Sequence, residues 1–535
     1  MPNAKSPALS ALLRCFSKAA FLERRGTQDP GDFQEAREAY LASRRAFLRQ
    51  SSLVVAGAGL GLGFSACTPK AKVATGGQPR IVILGAGMAG LHCGYVLQKA
   101  GVPCTIYEAS SRTGGRIHTV SDAFGPGLHS EFGAEFVDTD HADMLQLAKE
   151  FGLEMVDTQD DYKDGSVTKD TFFFEGRHYS EEDVITEFRS IVAKLNADKA
   201  GLGADYDTPL TAHLDTVSIE EYVRGLPCSK WVQDMIIYAY VAEYGLDAGE
   251  QSSLNFVDMI ITDTSEGFKI FGDSDERFKY RGGNSTITRK LAEKLSDQIK
   301  TGYAVTSIRE KSGTYQVTFG NGEAITADLL VVTLPYTILR EVDLSLRGMT
   351  PEKKACIDTL GYGQNNKLML GVSSRPWREH PQRFAGYLFN DQIQNGWDHT
   401  HQQNNNQGAG AYTVFLGGTQ AKEIAMGSQR DQVDNRHVQH HLAKLDEVFP
   451  GSKQAFTGTH AAALWTSNPY SKGSYSCYKV GQWTSISGQE FEPVGNVYFA
   501  GEHCSLNFQG YMNGAAETGR LVAEHLVMKV KGGVR

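Results

Sequence analysis

"RIVILGAGMAGLHCGYVLQKAGVPCTIYE", residues 80–108, sets an apolar run, a glycine-rich turn, a helical stretch and a second apolar run in one line. Arg80–Leu84 reads as a buried strand, Leu91–Ala100 as a helix, and 103–108 as a second strand ending at Glu108. Gly85, Gly87 and Gly90, with Met88 and Ala89 between them, bring the backbone close to a pyrophosphate. The helix start then offers free N–H groups and a positive dipole end. Glu108 stands eighteen residues past Gly90, where a dinucleotide fold keeps the acid that accepts from ribose hydroxyls. The stretch predicts a βαβ unit holding an adenine dinucleotide.

At 535 residues the chain needs two or three domains rather than one core. Its net charge of −9 is uneven: residues 1–66 hold nine basic and five acidic residues, which leaves −13 on the remainder. That acidic body excludes nucleic acid as a partner and favours cationic ligands. The eight cysteines are scattered without a CxxC pair, so isolated buried thiols are expected, and neither a zinc site nor a disulfide scaffold.

Helical periodicity dominates residues 140–300. Residues 304–335 alternate in polarity around Asn321-Gly322 and predict a hairpin feeding a buried strand. Strands are expected at 367–372, 411–417 and 496–502, and a helix at 510–528. The Gln/Asn-rich stretch 399–411 reads as a mobile surface loop. The division that follows is an N-terminal extension and linker (1–79), dinucleotide-binding parts (80–139, 276–335, 466–535) and substrate-domain parts (140–275, 336–465).

"EASSRTGGRIHT" (108–119) decides the cofactor: a Gly-Gly-Arg soon after the ribose acid resembles the flavin monoamine oxidase family. "EFGAEFVDTDHADMLQLAKEFGL" (131–153), "RFKYRGGNSTITRKLAEKL" (277–295), "LWTSNPYSKGSYS" (464–476) and "VYFAGEHCSLNFQGYMNGAAETGR" (497–520) are similar to its further signatures. The resemblance implies an α/β, two-domain flavoprotein, with a Rossmann-like FAD-binding domain and a mixed-sheet and helical substrate domain. It implies FAD contacts at Glu108, Ala109, Gly115, Arg116, Gly133, Ala134, Glu135, Val305, Trp465, Gly501, Glu502, Gly510, Tyr511 and Met512, with Arg116 on phosphate and Glu502 on sugar or ribityl hydroxyls. It also puts Lys367 beside flavin N5, holding a water. Tyr475 and Tyr511 become an aromatic pair that guides a neutral amine. A lysine inside the apolar run 367–372 needs a buried partner in any case.

The implied reaction is oxidation of a primary or secondary amine to an imine, with molecular oxygen as acceptor and hydrogen peroxide as product. Ser474 stands where some relatives carry a flavin-tethering cysteine, so FAD is expected to be non-covalent. Relatives acting on L-amino acids often anchor the carboxylate with an arginine in the segment matching 133–138. This chain reads Gly-Ala-Glu-Phe-Val-Asp there, which favours an amine without a carboxylate, with Arg378 and Arg383 as alternative anchors. Glu135, Glu243 and Asp258 are the acids open to a second ammonium, or are plain structural acids. An L-amino-acid oxidase is the second reading; a desaturase-type enzyme and a non-redox protein on the same fold stand further off. His437, His440 and His441 are expected on a solvated helix face.

"ASRRAFLRQSSLVVAGAGLGLGFSAC" (42–67) resembles a twin-arginine export signal, its apolar part too short to span a bilayer. "FSAC" resembles a lipoprotein cleavage box with Phe64 in place of leucine. Periplasmic release and a lipid tether at Cys67 both stay open, as does a homodimer.

Overall fold

The computed structural model describes residues 78–531 except 204–205, 261–273 and 429–432. The paired arginines, Cys15 and Cys67 lie outside the described residues.

Strand β1 (Ile81–Leu84) is buried along its length, as a strand covered on both faces must be. Helix α1 (Met88–Lys99) follows, then strand β2 (Cys104–Glu108), parallel to β1. On the other side β1 pairs in parallel with Leu329–Val332, which in turn pairs with Val497–Phe499; Ile299–Thr301 closes the far edge. Strand order thus reverses at β1, and a crevice opens beyond the carboxyl ends at that switch point. A Cβ on residue 90 would stand 2.0 Å from the Gly85 carbonyl oxygen, so α1 seats on the turn only because Gly90 has none. Ile81 and Ile83 share one core with Leu91 and Leu97 of α1 and with Ala516, Ala523 and Leu526 of the C-terminal helix, Met512–Lys531.

The second body is a seven-stranded sheet. Its order is Phe456–Leu464, β3 (Asn366–Val372), Gly410–Leu416, Gln394–Asp398, Phe384–Asn390, Thr168–Phe174 and Arg177–Tyr179. Its last two strands correct the expectation of a helical 140–300, since they enter this sheet from the middle of that segment. The run Phe172–Phe174 followed by Glu175-Gly176, both at positive φ, is a tight hairpin signal. Helix α2 (Lys230–Tyr244) is apolar nearly all round and accordingly buried, stopping at Gly245 in the left-handed region. It packs against Gln394–Asp398 and Phe384–Asn390.

The expected hairpin forms from Val305–Lys311 and Thr314–Phe319, and Gly322 turns the chain into Ala324–Ala327. The stretch 399–411 is exposed at 404–405 and 407–409, but it is anchored at its start. Arg375, buried beneath it, donates to Asp398 (3.0 Å), Asn406 (3.1 Å), Thr400 and the Gln403 carbonyl, and residues 399–401 are buried. A buried guanidinium with several acceptors pins a loop that composition alone reads as mobile. Nor do the three histidines share one solvated face: His441 is buried, and burial pushes it down to about 3. All six cysteines among the described residues are free thiols.

Candidate active site

Glu108 closes β2 in a buried position. Its two carboxylate oxygens accept from the Ala86 and Ser110 N–H groups, both at 2.8 Å, which leaves lone pairs open toward the crevice. Ala109 follows at half-buried depth. The Tyr303 N–H donates to the Glu108 carbonyl (2.8 Å), so Val305, two residues on, starts its strand beside the same acid. Gly87 caps α1 without any side-chain bond, and Met88 and Ala89 turn into the core. A Cβ on Gly115, which has φ +58, would lie 3.2 Å from the Gly87 Cα. The two glycine turns therefore pack backbone on backbone, bridged at Gly87 and Gly114, with no room for a side chain between them.

Arg116 reaches from the Gly-Gly turn to the C-terminal segment. It donates to the Ser474 carbonyl at 2.6 Å and to Glu502 at 2.9 Å. Glu502 also accepts from the Ser476 hydroxyl (2.7 Å) and the Gly510 N–H (3.0 Å). Burial pushes this carboxyl up, but Arg116 and the other donors outweigh it and hold it below the usual range. Both residues are thus engaged with protein groups, joining the Gly-Gly-Arg turn to the two C-terminal signatures. Gly501 donates to Thr518 (3.0 Å), and Met512 opens the C-terminal helix, a second helix start aimed at the same region.

Lys367 lies on β3 between Phe415 and Ala463 and is almost fully buried. Its ammonium donates to the Glu131 carbonyl (3.1 Å), the Gly133 carbonyl (2.8 Å) and Glu135 (2.7 Å), one acceptor for each of its three protons. Lys279 reaches the other Glu135 oxygen at 2.7 Å. Burial alone would raise Glu135, yet Lys279 and Lys367 reverse that and hold it well below the usual carboxylate range. Glu131 behaves oppositely: burial, with Glu135 nearby, pushes it up to about 7. Ala134 bonds to Arg116 (3.1 Å), and the Trp465 indole donates to the Phe132 carbonyl (2.9 Å), so both flank this lysine's segment.

Tyr475 and Tyr511 come from different C-terminal signatures and meet one turn of α2. The Tyr475 hydroxyl donates to the Ala242 carbonyl (3.4 Å) and the Tyr511 hydroxyl to Glu243 (3.2 Å). Gly510 lies against the Tyr475 ring, and His141 meets the Tyr511 ring edge-on at 5.2 Å between centroids. Burial first, and Glu243 second, push both phenols well above their ordinary value.

Of the other sequence candidates, Asp258 is buried against the Tyr206 hydroxyl. Arg378 is spent on Asp161 through two bonds, 2.8 and 2.5 Å, and Arg383 is exposed. Sequence reasoning missed Lys279 and Glu131. Both sit inside quoted motifs, and the signal was a second lysine and a second acid with no assigned task. Ser474 donates to Asn365 (2.6 Å), while the Cys477 thiol faces Asn255 on the far side.

The residues present fit FAD. Gly87 and Gly115 carry no side chain over the start of α1, so a diphosphate can approach the backbone there, and Glu108 keeps lone pairs for a ribose. A parallel dinucleotide sheet joined to a second sheet that carries a buried lysine, in a chain whose two C-terminal tyrosines meet on α2, is the frame of an FAD-dependent oxidoreductase. The chain belongs to the flavin containing amine oxidoreductases, whose family pattern matches residues 88–527. It is similar to a nicotine dehydrogenase of Pseudomonas putida, 25% identical over 89% of this chain and 95% of that protein. It is also similar to polyamine oxidase 4 of Oryza sativa subsp. japonica, 23% identical over 83% and 88%. The fold matches a cyclohexylamine oxidase from Brevibacterium oxydans with a TM-score of 0.72 at 19% identity, across 85% of this chain and 100% of that one. The protein is therefore an FAD-dependent enzyme that oxidises amines.

Proposed function

We propose that the substrate is an amine without a carboxylate, taken up between Tyr475 and Tyr511, and that oxygen receives the electrons and leaves as hydrogen peroxide. When bound, FAD accepts the hydride equivalent from the carbon bearing nitrogen. The two phenols present ring faces to the amine and keep it dehydrated and neutral. The carboxylate of Glu135 keeps Lys367 in place on the cofactor side. The observation that carries the substrate reading is the convergence of both tyrosine hydroxyls on Ala242 and Glu243, because a carboxylate already at that rim repels an amino acid's carboxylate. The commitment of Arg378 to Asp161 supports the same side. The test is anaerobic bleaching of the bound flavin by a panel of amines and L-amino acids, with peroxide measured on readmitting air. Bleaching by L-amino acids alone would overturn the reading in favour of an L-amino-acid oxidase.

We further infer export in the folded state by the twin-arginine machinery to the periplasmic side. The support is Ser43-Arg44-Arg45 before a short apolar stretch, together with a cofactor whose expected non-covalent binding requires loading before transport. Mass spectrometry of the mature chain from soluble and membrane fractions tests this. A mature protein still beginning at Met1 refutes export, and a lipid on Cys67 distinguishes a tethered enzyme from a free one.

A further inference from the structure

All three Lys367 protons are taken, by the Glu131 and Gly133 carbonyls and by Glu135, so what this lysine offers its surroundings is charge. A carboxylate bonded to it alone would cancel that charge at a distance. Glu135 is shared instead. Lys279, on the strand Phe278–Tyr280, holds its other oxygen at 2.7 Å, with the ammonium 4.5 Å from the centre of the Phe136 ring. That ion pair is not needed to tie the strand down. The Val137 and Phe278 backbones exchange two bonds of 2.8 Å, and the Asn284 amide donates to the Ala134 and Glu135 carbonyls at 3.1 and 2.7 Å.

Two ammonium groups against one carboxylate leave the cluster one net positive charge. The other titratable groups in reach do not cancel it. Burial brings His399 down to about 4 and pushes Glu131 up to about 7, while Glu276 has Lys169 within its own reach. The segment 131–135 also packs on the Gly-Gly-Arg turn: a Cβ on Gly133 would stand 1.8 Å from the Arg116 carbonyl oxygen. We propose that Lys279, acting through Glu135, keeps an uncancelled positive charge beside the cofactor and so favours electron transfer to oxygen. The inference rests on the proposed placement of Lys367 on the cofactor side. Oxygen takes two electrons and one proton from the reduced cofactor and a second proton from solvent, and leaves as hydrogen peroxide. Negative charge forms on it with the first electron, and a fixed cation in a water-poor site stabilises that charge. The same cation makes the cofactor easier to reduce.

The test takes two readings from the holoenzyme: the equilibrium between bound flavin and a reference dye during slow anaerobic reduction, and the rate of reoxidation by oxygen. Lys279→Gln is expected to shift the equilibrium toward oxidised flavin and to slow reoxidation, each by about tenfold. Lys279→Arg keeps the charge and is expected to stay close to wild type. Wild-type behaviour of Lys279→Gln in both readings, or an equal loss in Lys279→Arg, overturns the inference. If Lys279→Gln does not load FAD, Lys279→Met is read in its place, and failure of both makes Lys279 a structural tie and overturns the inference too. If Lys367→Met also leaves both readings at the wild-type level, the placement of Lys367 falls as well; if only the Lys279 variants are silent, amine oxidation stands.

Discussion

Lys367 and Glu135 meet at 2.7 Å with both side chains at most 5% exposed, and Lys279 closes the other Glu135 oxygen at the same distance. One carboxylate thus balances two ammonium groups, one of them Lys367 on the second sheet. Removing the acid and removing one lysine are not equivalent, since only the first leaves two like charges buried together.

Glu135→Gln is accordingly expected to lose about 3–5 kcal/mol of stability, the range for breaking a buried ion pair. Lys367→Met leaves Glu135 paired with Lys279 and is expected to cost clearly less. Denaturant unfolding of the two variants measures the difference. An equal loss would show that Lys279 does not compensate.

Lys367→Met is expected to slow flavin reduction or its reoxidation by oxygen at least tenfold, read by stopped-flow absorbance. Wild-type rates in both half-reactions would remove Lys367 from the chemistry and leave it a structural cation.

Glu131 gives a pH dependence of definite sign. Its folded value is raised from 4.5 to about 7, so the folded state holds its proton longer than the unfolded chain. The associated stability is whole below 4.5 and drains away as pH rises through about 7. Glu135 runs the other way: its value is lowered, so its contribution is present above the ordinary 4.5 and is lost only on stronger acidification. Melting temperatures of wild type and Glu131→Gln across neutral pH check the first effect, and the variant should flatten the decline.

Arg378→Met is expected to destabilise the loop around Asp161 and His401, with no selective change in how L-amino acids bind. A loss confined to amino-acid binding would restore Arg378 as a carboxylate anchor.

Acid precipitation is expected to release all the flavin into the supernatant. Ser474 offers no thiol, and Cys477 is buried away from it. Yellow pellet protein would contradict this.

The dinucleotide half was legible because its rules are local. A strand, three glycines and an acid at fixed spacing specify β1, α1 and β2 almost alone; Asn321-Gly322 marks the turn into Ala324–Ala327, while the turn at Ser312-Gly313 before it went unread. The second sheet was only partly legible, because Thr168–Phe174 finds its partner Phe384–Asn390 more than two hundred positions away. The candidate site divided likewise. Lys367 and the tyrosines stood out by type and context. The partnership of Glu135 with two lysines, and the seating of both phenols on α2, depend on approaches between segments that no spacing records. Arg375 under the 399–411 loop makes the same point: its middle is exposed as polarity suggested, while a buried cation holds its first residues inside.

The sheet that begins with β1 is finished by Val497–Phe499, and α1 packs chiefly on Met512–Lys531. The strand and helix that open the candidate cofactor site therefore depend on a strand and a helix made much later in the chain. A chain cut before Val497 lacks one edge of this sheet and the helix on which α1 rests, so cofactor capture depends on segments drawn from both halves of the sequence.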